Sequence, residues 1–159
     1  MRFLVQPAAA PRSRAPVRVF LAFAALALAG LAAQRVLAGG LSPAEVELHY
    51  LGAAEGEALP AAALWEEIHQ GAFVYGFVVF MLGALLALCP LSARTRAALV
   101  GTAFVATVAD VLAPLVIAAA HGGGALRVVT FVAASSSLLV LLVTVAAGVR
   151  GGGGEGARA

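Results

Sequence analysis

The chain has 159 residues, 62% of them hydrophobic and only 11% charged, with mean hydropathy +1.01, against about 45–50% apolar and about 25% charged residues in soluble domains. That composition excludes a soluble globular domain and specifies an integral membrane protein; at about 20 apolar residues per helix, the length limits it to roughly four or five spans. The net charge of +2 comes from arginines without a single lysine and forms no basic patch able to fill a nucleic-acid groove, and the lone Cys89 excludes an intrachain disulfide or a CxxC metal or redox pair.

Residues 1–17, rich in Pro and Arg, read as a disordered cytoplasmic tail. The first span is placed at 18–38. Its uncharged stretch between Arg18 and Arg35 covers only about 24 Å at 1.5 Å per residue, so snorkelling arginines must complete the crossing. The rival reading is a secretory signal peptide cut after Ala38, at the end of "VLA". The uncleaved anchor is preferred, and either reading sends the next segment outward.

An outer loop follows over 39–64. Within it "LSPAEVELHYLG" carries a full set of helix signals. Ser42 caps, Pro43 takes the first helical position, Glu45 completes a capping box and Gly52 ends the helix. Leu41 and Val46 have the spacing of a hydrophobic staple. A helix of about two turns is expected at the outer membrane surface, with His49 and Tyr50 on it.

Three more spans are expected at about 65–89, 97–120 and 127–149, joined by "PLSARTR" and by the glycine-broken "HGGGALR". Arg2, Arg12, Arg14, Arg18, Arg94, Arg96, Arg150 and Arg158 then fall on one side, and Arg35 and Arg127 on the other. This asymmetry puts both termini in the cytoplasm. The acidic loop suits the outer side, and residues 150–159 read as a flexible tail. The fold class is all-α: a four-helix antiparallel membrane bundle with a short outer surface helix, the membrane domain running from 18 to 149.

Polar residues inside the spans are the candidate site. Helical spacing gathers Ala103, Thr107, Asp110, Pro114, Ile117 and His121 on one stripe of the third span, His69, Gly76 and Gly83 on the second, and Thr130, Ser137 and Thr144 on the fourth. Counting from the outer end puts Tyr75, Asp110, Ser135, Ser136 and Ser137 roughly 12–17 Å deep, where they can meet as an intramembrane polar cluster. His69, His121, Arg35 and Glu67 form a second polar layer nearer the surface. Pro114 displaces the hydrogen bond that would go to the Asp110 carbonyl, leaving that oxygen free beside the carboxyl. With no basic residue counted at that depth, the expectation is a neutral, hydrogen-bonded Asp110. A hydrogen-bonded structural cluster is preferred for these groups over a proton-linked, ion-linked or ligand-contacting role. His69 and His121 read first as interfacial histidines, with haem b ligation as the alternative. The serines have no base placed to activate them.

The segments "LSPAEVELHYLG", "LWEEIHQGAFVYGFVVFMLG" and "VADVLAPLVI" together resemble an uncharacterised family of small bacterial four-helix inner-membrane proteins. The matching positions are Tyr50, Gly52, Glu67, His69, Asp110 and Pro114, over about residues 18–149. Such relatives often carry a second histidine where this chain has Gly71, so a site built on that pair is incomplete here. The resemblance implies an inner-membrane location and carries no established activity. The function expected is a non-enzymatic membrane protein, in contact with the bilayer and with other membrane subunits as an accessory or assembly component. The alternatives are a haem or small-ligand redox protein and a proton- or ion-linked transport component using Asp110.

Overall fold

The computed structural model describes residues 15–53 and 58–151; the expected terminal tails lie outside them except at their inner edges, where residues 15–17, 150 and 151 are helical. Five helices follow in order: α1 (Ala15–Gly39), α2 (Pro43–Leu51), α3 (Ala61–Leu86), α4 (Ala93–Ala120) and α5 (Gly124–Gly151). Helices α1, α3, α4 and α5 are long and apolar enough to cross a bilayer. The shortest, at 25 residues, measures about 37 Å against a hydrocarbon core of about 30 Å. Large apolar side chains such as Phe23, Phe73, Phe80, Val105 and Leu139 face outward. In water that surface would drive association, whereas in lipid it is the matched solvent.

Helix α2 forms as its sequence signals require. Ser42 Oγ accepts from Glu45 N at 3.2 Å, and Glu45 Oε2 accepts from Ser42 N at 3.0 Å. Gly52, at φ 78°, ends the helix and donates to the Leu48 carbonyl. Val46 and Tyr50 pack with Ile117, which lays α2 across one end of the bundle. A clasp that the sequence did not suggest holds it there. Glu47 Oε1 accepts from Gly123 N at 3.0 Å and Gly124 N at 2.9 Å, taking up amides at the start of α5 that have no partner within their own helix. Gly124 must be glycine, because a Cβ there would lie 2.1 Å from the Pro43 carbonyl oxygen.

At the other end α3 stops at Leu86, three residues before the expected limit. Leu88 and Cys89 close tight turns onto Leu85 and Leu86, since Pro90 disfavours helical backbone just before it. Ser92 then caps α4, its Oγ accepting from Thr95 N at 3.1 Å. The core between the spans is Ile68, Tyr75, Val79, Leu82 and Leu86 from α3 with Ala103 and Val111 from α4 and Ala134, Leu138, Leu141 and Val145 from α5. Helix α4 packs most extensively on α5 and next on α3. Helix α1 is the most lightly packed span, and its backbone does not approach α4.

Candidate functional site

Near the α2 end, buried charges bring all five helices together. Asp110 on α4 is fully buried. Its Oδ1 accepts from Arg127 Nη1 of α5, and its Oδ2 accepts from the Tyr75 hydroxyl of α3 at 2.9 Å and lies 3.0 Å from Arg35 Nη1 of α1. Glu67 of α3 forms the second anion. Its Oε1 accepts from Arg127 Nη2 at 2.8 Å and from the Tyr50 hydroxyl of α2 at 2.7 Å, and lies 3.8 Å from Arg35 Nη1. Two guanidinium ions thus balance two carboxylates in a region with little water to screen them.

Small residues and rings shape the space around this cluster. Gly71 leaves room for Arg35, since a Cβ there would meet Nη2 at 2.7 Å. Arg35 also sits over the Tyr75 ring, 5.4 Å from its centroid. Its Nε finds no acceptor among the described residues. Burial, then the neighbouring Glu67 carboxylate, push the Tyr50 hydroxyl well above its ordinary pKa, so it remains a donor.

Pro114 explains why Arg127 is held so closely. The proline leaves the Asp110 carbonyl without its helical donor, and Arg127 Nη1 donates to that oxygen as well as to the carboxylate. One guanidinium therefore serves both the backbone carbonyl and one carboxylate oxygen of Asp110. The expectation that no cation lies at the depth of Asp110 is corrected: Arg35 and Arg127 both reach its carboxyl, because a guanidinium extends several ångströms from its Cα and both side chains enter from the α2 end.

The other sequence candidates are distributed differently. Ser135, Ser136 and Ser137 do not partner Asp110; Ser137 Oγ donates to the Ala134 carbonyl of its own helix at 2.9 Å, Ser136 is exposed and Ser135 borders a groove beside α1. The buried face of α5 runs instead through Arg127, Thr130, Ala134, Leu138, Leu141 and Val145. On α3 the buried face runs through Ile68, Gly71, Tyr75, Val79, Leu82 and Leu86, so the expected stripe of His69, Gly76 and Gly83 is one residue out of register. His69 and His121 are exposed and form no layer with Arg35, which descends into the charged cluster. His121 caps α4 in the left-handed region at φ 52°. His49 is half-buried, with its ring edge-on to Tyr50 at 4.8 Å. Among the described residues, no group of three or more His, Cys, Asp or Glu side chains gathers as a metal site.

Above the charges lies a cavity of about 300 Å³. Arg35, Glu67 and Arg127 border it on the cluster side, Tyr50 and His49 on the α2 side, and Leu31, Val128 and Phe131 supply apolar wall. Neither His69 nor His121 borders it.

The match to a family model spans residues 40–149. The chain belongs to the Aq_1264_TM family, described as a transmembrane helical domain. The matched segment contains α2 to α5 and so includes Tyr50, Glu67, Tyr75, Asp110 and Arg127, while α1 and Arg35 precede it. Neither a curated protein nor a solved structure matches the chain.

Proposed function

We propose that the protein is a non-enzymatic, multi-pass inner-membrane protein that binds a small ligand in the cavity beneath α2. The observation that carries this reading is the cavity itself. It has a volume at the lower end of the roughly 300–1,000 Å³ typical of small-molecule sites, with an apolar wall and a few fixed polar groups. The arginine distribution favours an outward-facing α2 end and cytoplasmic termini. The contacts of Asp110 with Arg35, Tyr75 and Arg127 on three other helices favour a structural role for that carboxyl over proton carriage. The exposure of His69 and His121 gives the haem alternative no enclosed pocket.

Native mass spectrometry of the intact protein released from detergent tests the reading. The wild type should carry a co-purifying small molecule, and Ala63→Trp, which fills the cavity wall, should lose it while keeping normal helicity. A bare wild-type mass, or retention in the filled variant, would remove the ligand-binding role. The accessory-subunit reading is favoured by one observation, the light packing of α1, which leaves most of that helix open to another membrane chain. Its check is whether cross-links from the exposed Phe23 position reach a second protein.

A further inference from the structure

A second space lies next to the cavity, on the far side of Phe131. This hollow, of about 270 Å³, runs between α1 and α5, bordered by Leu28, Ala32, Phe131, Ser135, Leu138 and Leu142 among others. Phe131 borders both spaces. On α1, Leu28 and Ala32 line the groove while Leu31 and Arg35, about one turn further on, line the cavity. We propose that cavity and groove are the head and tail halves of one site, whose ligand is an amphiphile with a single apolar chain and a non-anionic, hydrogen-bond-donating head.

The tail assignment follows from length, lining and neighbours. Phe131 and Leu142 are separated by about 17 Å along α5 at 1.5 Å per residue, which suits a medium-length hydrocarbon chain. The groove wall is mostly aliphatic, with Tyr75, Phe131 and Ser135 as the exceptions. It lies beside the most lightly packed span, so a chain can enter sideways from lipid without crossing water.

The head assignment follows from which polar groups remain unused. Arg127 is committed to Asp110 and Glu67, Arg35 is paired with Asp110, and the Tyr50 hydroxyl is given to Glu67. An anionic head therefore finds both guanidinium charges already paired, with Arg35 Nε left as an unused donor. Beside that donor, the unused groups include a carboxylate and two amides. Glu66 borders the cavity and forms no hydrogen bond or ion pair among the described residues. Gln34 and Gln70 share one bond, with Gln34 Nε2 donating to Gln70 Oε1 at 3.1 Å, and keep further capacity. A hydroxylated head matches this set, and the carboxylate of Glu66 repels a carboxylate ligand.

The inference rests on the cavity being a ligand site, and the test separates the two claims. Binding of a long-chain monoacylglycerol, its short-chain analogue and the fatty-acid carboxylate of equal chain length is measured on the full chain by native mass spectrometry. The long-chain monoacylglycerol should bind one to one, with the carboxylate weaker by about tenfold or more. Ala32→Trp should weaken the long-chain compound by about tenfold and leave the short-chain analogue unchanged. Ser135→Phe, a second groove blocker, repeats that measurement, and retained helicity and monodispersity qualify each variant. Ala63→Trp should weaken both compounds. Long-chain binding that survives both groove variants overturns the two-part site and leaves the cavity reading standing. Equal binding of the carboxylate overturns the head assignment. Indifference to Ala63→Trp removes the cavity reading and this inference together.

Discussion

At the α2 end, Asp110, Glu67, Arg35, Arg127, Tyr50 and Tyr75 join five helices through ion pairs and hydrogen bonds, whereas toward the other end α3, α4 and α5 meet through Leu82, Leu86, Ala103, Leu141 and Val145. In lipid the second kind of contact gains little from transfer, because the surrounding tails are as apolar as leucine. It supplies packing and tolerates exchange of one aliphatic group for another of similar volume. The charged end behaves differently: each group there has a specified partner on another helix, so it fixes which helices are neighbours and in what register. The bundle thus has one end that specifies and one that fills.

Removing one charge from the specifying end is the most severe way to test that contrast. Asp110→Leu leaves Arg127 and Arg35 buried with Glu67 as their one remaining anion. Breaking a buried pair in this way costs about 3–5 kcal/mol, so the variant should be nearly absent from membranes, while Leu141→Ile at the filling end should accumulate normally. Comparable loss in both would erase the distinction. Arg35→Gln should be milder, at about 1.5–3 kcal/mol for a lost charged contact, because Arg127 and Tyr75 still hold Asp110. Its signature is local: protease access at the end of α1 should rise before the remaining helices melt. Gly124→Ala should cost about 1–3 kcal/mol in detergent unfolding through overpacking against Pro43. Gly122→Ala is the control, since a Cβ there meets nothing within 4 Å.

The smallest effect is in pH. Accepting two backbone N–H groups holds Glu47 below its ordinary pKa of 4.5, and Ser42 and Leu41 do the same for Glu45. A depressed carboxylate stabilises the fold above its unfolded pKa, and that contribution is lost as pH falls through the folded value. Unfolding temperature should therefore drop as pH is lowered below about 4.5, and Glu47→Gln should flatten part of the drop. An unchanged slope in Glu47→Gln would detach α2 docking from that clasp.

Local signals in the sequence were strong where a few adjacent residues decide the structure. Ser42, Pro43, Glu45 and Gly52 specify α2 within one short segment, and long apolar runs broken by proline and glycine turns place four spans. The register of buried faces was harder to read. Nearly every position in these helices is apolar, so periodicity carries little information, and polar residues such as Ser137 and Thr144 marked the wrong stripe because each satisfies its hydroxyl on its own helix. The Asp110 site was half legible. Pro114 points to the freed carbonyl, but its partner Arg127 sits near a helix start, where an arginine ordinarily faces the membrane surface. Glu47 gave no local signal, since its partners lie far along the chain at Gly123 and Gly124.

The paired acceptors of Asp110 also bear on how the chain enters the bilayer. Alone in hydrocarbon, α4 would present a carboxyl and an unpaired backbone carbonyl to a medium that offers neither water nor a donor. The donor that meets both is Arg127, near the start of the next helix, and only residues 121–123 separate the two elements. Helices α4 and α5 therefore suit insertion as one hairpin, with the short glycine link delivering the guanidinium as its acceptors leave the aqueous phase.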